Sequence, residues 1–82
     1  MTLAKAFGQV LKQKCETLKL TQEQLAFEVE LHRTYISLLE RGLKSPTLDV
    51  IFRLAIALKI SPSELIKKVE KLYHPKNFIN EN

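Results

Sequence analysis

Residues 20–42 read Leu20-Thr21-Gln22-Glu23-Gln24-Leu25-Ala26-Phe27-Glu28-Val29-Glu30-Leu31-His32-Arg33-Thr34-Tyr35-Ile36-Ser37-Leu38-Leu39-Glu40-Arg41-Gly42. The Thr21 hydroxyl can cap the free amides of a first helical turn, and Gln24 three residues on completes a capping-box pattern. Leu25, Ala26 and Val29 then form one buried face. A break near Glu30–His32 separates this helix from a second that runs to about Arg41. Ile36 and Leu39 lie on the inner face of that second helix, and Gly42 supplies its left-handed stop. Ala26 is small where the two helices would cross closely. Leu25, Val29, Leu31, Ile36 and Leu39 sit at spacings that fill the angle between helices meeting near a right angle.

The flanking sequence is helical as well. Leu3, Phe7, Val10, Leu11 and Leu18 suit an amphipathic helix over about residues 3–18. Pro46 and Thr47 mark the start of a fourth helix to about Leu58. Ser61-Pro62-Ser63-Glu64 combines a Ser cap, Pro at the first helical position and Glu three residues after the cap, the clearest helix start in the chain. The fifth helix carries Leu65, Ile66, Val69 and Leu72 inward or to a partner. Pro75 ends it, and residues 76–82 form a polar tail with one apolar pair, Phe78-Ile79. The reading is an all-α, compact five-helix bundle: residues 1–74 form one domain with its C-terminal helix at a dimer contact, and residues 75–82 a short tail.

Composition agrees and narrows the function. At about 100–200 residues per domain, 82 residues make one small domain. With 45% hydrophobic residues, two Gly and three Pro, the chain is neither disordered nor collagen-like. No apolar run approaches the roughly 20 residues of a membrane span, and no secretory signal follows Met1, so a cytoplasmic protein is expected. One cysteine, Cys15, cannot staple the fold, and His32 and His74 are too few and too far apart for a metal site. In an apolar setting Cys15 reads as an inert small hydrophobe, and His32 as a solvated or capping residue. A core of this size hides only about 60–65% of the unfolded surface, so a partner subunit would help. The net charge of +4 permits nucleic acid as a partner without proving it. Its distribution says more: residues 31–47 hold Arg33, Arg41 and Lys44 against Glu40 alone.

Two such helices joined tightly make a helix-turn-helix, in which the second lies in the DNA major groove. Here the sequence resembles the Cro/repressor-type, or XRE-like, helix-turn-helix family over about residues 9–66. The resemblance rests on Leu20 to Ala26, on Tyr35-Ile36-Ser37-Leu38-Leu39-Glu40-Arg41-Gly42, and on Ser45-Pro46-Thr47-Leu48 through Leu54-Ala55-Ile56-Ala57-Leu58. The run Arg33-Thr34-Tyr35-Ile36-Ser37 looks most like the controller proteins of restriction–modification systems. Three departures stand out. Glu30 occupies a turn position where the family often has Gly, and a β-carbon in the left-handed conformation costs roughly 1–2 kcal/mol, so a strained or differently shaped turn is expected. An Arg is common where Cys15 aligns, paired with the acid equivalent to Glu40; without it Glu40 needs another partner, such as Arg41 or backbone amides. His32 stands where Ser, Thr or Asp usually caps the recognition helix.

At about 100° per residue, with Ile36 inward, Thr34, Ser37, Leu38 and Arg41 project outward and Arg33 lies at the margin near the helix start. Residues there reach base edges. Arg33 is the main candidate for readout, as a two-pronged donor to guanine, against the plainer alternative of a phosphate contact. Thr34 and Ser37 can hydrogen-bond bases, and Leu38 can touch a thymine methyl. Phosphate contacts are expected from Gln22 at the start of the preceding helix and from Lys44, Ser45 and Thr47 in the loop after the recognition helix. Tyr35 resembles a phosphate-contacting tyrosine of the family, or is a half-buried aromatic beside Leu39. Arg41 is a second phosphate clamp or a solvated cation complementing the helix dipole.

Apolar residues span well over half the circumference of the fourth helix, more than the stripe of about 100° that one packed side requires. The surplus predicts a two-fold dimer through Phe52, Ile56, Leu65, Ile66, Val69 and Leu72, the alternative being a central helix wrapped within its own core. Symmetry then predicts a near-palindromic operator.

The expected function is a homodimeric, sequence-specific transcriptional regulator of double-stranded DNA, with the restriction–modification controllers as the suggested branch. An antitoxin of a toxin–antitoxin pair is an alternative, though residues 76–82 are short for wrapping a toxin. A helical adaptor making only protein contacts is another, and the basic recognition segment argues against it. No Ser/His/Asp or Cys/His arrangement, carboxylate pair or Gly-rich phosphate loop supports an enzyme. No cofactor or small-molecule ligand is implied.

Overall fold

A computed structural model describes residues 1–73. The proposed stop at Pro75 and the Phe78-Ile79 pair lie outside the described residues. Five helices follow one another: α1 (Leu3–Leu18), α2 (Gln22–Val29), α3 (Arg33–Glu40), α4 (Leu48–Ala57) and α5 (Pro62–Tyr73). No described residue is in a strand.

Each helix start is closed by a side chain that accepts a backbone amide otherwise left without an intrahelical partner. Thr2, Thr47 and Ser61 accept from Lys5, Val50 and Glu64. At α2 the bonds are reciprocal: Thr21 Oγ1 accepts from the Gln24 amide at 3.0 Å, and Gln24 Oε1 accepts from the Thr21 amide at 2.8 Å. The helix ends use left-handed residues, whose geometry returns amides to the last carbonyls. Three of these residues are not glycine: Lys19, Glu30 and Lys59, at φ 59°, 59° and 60°. Gly42, at φ 72°, is the fourth and follows α3.

Glu30 therefore keeps the turn shape in spite of its β-carbon and carries the strain. α3 stops one residue before Arg41, which caps it in the right-handed conformation.

The core gathers on the inner faces of all five helices. Leu11, Leu25, Ile36, Leu39, Leu54, Leu58 and Leu65 are fully buried. α1 packs on α3 and α5, α2 on α3 and α4, and α4 on α5. Gly8 permits the α1–α3 contact, since a Cβ there would lie 2.4 Å from the Leu39 carbonyl oxygen. Arg53 of α4 donates to the Val29 carbonyl at the end of α2 and sits 3.6 Å from Asp49. It thus satisfies a terminal carbonyl of a helix 24 residues away in sequence.

Two expectations need correction. Leu65 and Val69, assigned to a dimer contact, are 0% and 4% exposed and belong to the protomer's own core; they lie on the side of α5 that meets α1 and α4. Leu3 is 52% exposed and lies outside the core, because α1 begins there, at the edge of the bundle.

Candidate nucleic-acid interface

The buried pair Ile36 and Leu39 anchors α3 and decides which of its side chains face outward. Arg33 and Thr34 are exposed, Ser37 is half-buried, and Arg41 is exposed at the far end. Leu38, expected to be exposed, is half-buried; its carbonyl accepts the Leu43 amide at 2.9 Å as the chain folds back after α3. Tyr35 is half-buried and packs against the core. Its aromatic ring therefore does the packing work that the sequence left open beside a phosphate contact.

His32 caps α3. Its Nδ1 accepts the Thr34 amide at 3.1 Å, the role that a hydroxyl or carboxylate usually fills. This orientation fixes the start of α3 next to Arg33, so the guanidinium projects from an ordered first turn.

The flanks of α3 carry the other candidates. Lys44, Ser45 and Thr47 are exposed in the segment joining α3 to α4. The Thr47 oxygen accepts the Val50 amide, which leaves its hydroxyl hydrogen free to donate. α1 contributes Lys5, which sequence reasoning missed. A Cβ on Gly42 would lie 2.6 Å from Lys5 Cγ, so this lysine stem runs directly past the turn after α3. Only the folded chain brings Lys5 and Gly42 together.

Gln22, the first residue of α2, is half-buried. Its Nε2 donates at 2.9 Å to Oε1 of Glu40, the last residue of α3. Cys15 of α1 lies beside the same carboxylate. Glu40 thus takes its hydrogen-bond partner from α2 rather than from Arg41 or backbone amides. Burial, followed by the charge of Glu40 beside it, pushes the Cys15 thiol up to about 12.

The described surface outside this face offers little chemistry. A cleft of about 420 Å3 between α1, α4 and α5 is lined mainly by Leu3, Phe7, Ile51, Ile66, Val69 and Tyr73. Among the described residues no group of three or more His, Cys, Asp or Glu could hold a metal. No described helix is long and apolar enough to cross a membrane.

Comparison with known proteins bears on this geometry. A helix-turn-helix family model matches residues 11–65, from the middle of α1 into α5. The control protein C.BamHI of Bacillus amyloliquefaciens is 44% identical over 61 residues, 73% of this chain and 75% of that protein. The chain belongs to the helix-turn-helix family of restriction–modification controllers. In structure, this family member resembles the controller C.AhdI of Aeromonas hydrophila, with a TM-score of 0.73 and 42% identity over 76% of this chain and 94% of that one. It also resembles the controller C.Esp1396I, whose tetramer has been solved with its natural 35-base-pair operator. There the TM-score is 0.79 and the identity 28%, covering 88% of this chain and 95% of that one. Controllers of this family are transcriptional regulators and not enzymes.

Proposed function

We propose that two copies of this controller bind a near-palindromic DNA operator in the cytoplasm, placing α3 of each protomer in successive major grooves about 34 Å apart. The observation that carries the reading is the position of Arg33. It is exposed at the margin of the first turn of a helix whose inner side, Ile36 and Leu39, is locked in the core. A guanidinium there presents the paired donors that guanine O6 and N7 accept. Thr34 and Ser37 extend base contact along the same face, and Leu38 offers apolar contact with what remains exposed of its side chain. Gln22, Arg41, Lys44, Ser45 and Thr47 flank that face and would hold the phosphates, with Lys5 added from α1; the Tyr35 hydroxyl would reach a phosphate from its half-buried ring.

The dimer surface is narrower than the sequence suggests. Phe52 and Ile56 of α4 and Ile66 of α5 are 50%, 76% and 44% exposed, and Leu72 is half-buried. Leu48, at 70% exposure, lies one turn before Phe52 on α4. A row at positions i, i+4 and i+8 forms one stripe of a helix. Its burial against a second copy accounts for the apolar surplus of α4.

Selection of binding sites from a randomised duplex pool, at two salt concentrations, tests the proposal with wild type and Arg33→Ala. A palindromic consensus is expected, and Arg33→Ala should lose about 1–3 kcal/mol at one base pair per half-site. Weak, unselective and steeply salt-dependent binding by both proteins would refute specific DNA recognition.

A further inference from the structure

Glu40 stands where three helices meet. As the last residue of α3 it is half-buried, and its backbone is pressed onto α1: a Cβ at Gly8 would lie 2.6 Å from the Glu40 carbonyl oxygen. Its carboxylate accepts from Gln22 Nε2 on α2 at 2.9 Å, and Cys15 of α1 lies beside it. The orientation of the Gln22 carboxamide follows from this contact. Turning its oxygen toward Glu40 would set an acceptor against a carboxylate, so Nε2 must face it.

A carboxamide nitrogen carries two hydrogens. One is engaged by Glu40, and the other is left to donate elsewhere. We propose that Glu40 is a positioning residue for DNA binding: it fixes the Gln22 carboxamide so that its second N–H meets a backbone phosphate. The inference rests on Gln22 being a phosphate contact. Without Glu40 the Gln22 side chain samples several rotamers and either end of the amide, and ordering it costs affinity when DNA arrives. The carboxylate therefore aids binding to a polyanion although its own charge opposes it, and that sign separates positioning from simple electrostatics.

Operator affinity and melting temperature are to be measured on full-length variants, with the duplex obtained by site selection. Gln22→Ala and Glu40→Ala should each weaken binding about tenfold, and the double variant should be no weaker than either. Glu40→Gln, whose amide oxygen still accepts from Gln22, should bind at least as well as wild type. The decisive variant exchanges the pair, Gln22→Glu with Glu40→Gln. It restores a hydrogen bond between α2 and α3 and should melt near wild type, yet it shows a phosphate only acceptors and should bind at least tenfold more weakly. Wild-type binding by the exchanged pair would make the contact a structural staple and overturn the proposal. Additive losses in the double variant, or tighter binding by Glu40→Ala, would also overturn it. Unchanged affinity in Gln22→Ala would instead remove the phosphate contact on which the positioning role rests. If Glu40→Ala fails to fold, Glu40→Gln and the exchanged pair still decide.

Discussion

Gly8 of α1 lies against Leu39 of α3 so closely that a Cβ on Gly8 would sit 2.4 Å from the Leu39 carbonyl oxygen. Backbone meets backbone there, and neither partner can yield by rotating a side chain. Gly8→Ala should therefore displace the end of α3 or the whole of α1, at a cost of about 1–3 kcal/mol for overpacking. In a domain of this size each kcal/mol lowers the melting temperature by roughly 4–8 °C. Thermal unfolding followed by circular dichroism checks the loss. An unchanged melting temperature would show that the α1–α3 contact relaxes without strain.

Glu30 occupies the left-handed position after α2, at φ 59° and ψ 44°. Glycine adopts this conformation without the penalty of roughly 1–2 kcal/mol that a β-carbon brings, although it loses about 0.5–1 kcal/mol through its freer unfolded chain. Glu30→Gly should thus stabilise the protein by a few tenths to about 1 kcal/mol. An upward shift of the urea midpoint with an unchanged slope is the expected signature. Lys19→Gly and Lys59→Gly, at the same conformation, should behave alike.

Much of this architecture is legible because its signals are local. The capping box at Thr21 and Gln24, the Ser61-Pro62 start and the Gly42 stop each depend on neighbours within four residues, and each occurs where the spacing puts it. The α5 faces are less legible. Leu65, Ile66, Val69 and Leu72 are equally apolar in sequence, and only the packing of α1 and α4 decides that Leu65 and Val69 turn inward. The Gln22 contact of Glu40 could not be read at all, although the family resemblance does set Cys15 against Glu40. Gln22 and Glu40 lie on different helices, and no local rule ties a carboxamide to a carboxylate. Arg53 reaching Val29 and Lys5 passing Gly42 are legible only in three dimensions for the same reason.

Cys15 makes a prediction with a definite sign. Its thiol is pushed up to about 12 in the folded protein, against an ordinary cysteine value near 8.5. The folded state therefore holds the proton more tightly than the unfolded state does. Stability from this group is fully present below about pH 8.5 and is lost as the pH climbs toward 12, by up to about 1.4 kcal/mol per pH unit. Cys15→Ala should remove this part of the alkaline slope, as read from urea midpoints between pH 8 and 10. The native thiol should also react with an alkylating reagent far more slowly at pH 8 than the unfolded chain, because the thiolate is the nucleophile.

The exposed stripe of α4 sets the final test. Phe52 and Ile56 are half or more exposed on a helix whose inner residues Leu54 and Ala55 are fully buried. A charge on this stripe therefore leaves the protomer's core untouched, while at a two-fold interface it meets apolar surface and its own copy. Ile56→Glu should melt at low protein concentration within a few degrees of wild type, since a surface substitution usually changes stability by no more than about 0.5 kcal/mol. In sedimentation equilibrium it should shift the protein from dimer to monomer. Operator binding should then weaken on a full palindrome and remain unchanged on an isolated half-site, because only the full site draws on both protomers at once. Equal loss on both duplexes would show that Ile56 acts within the protomer, and an unaltered dimer would move the interface away from α4.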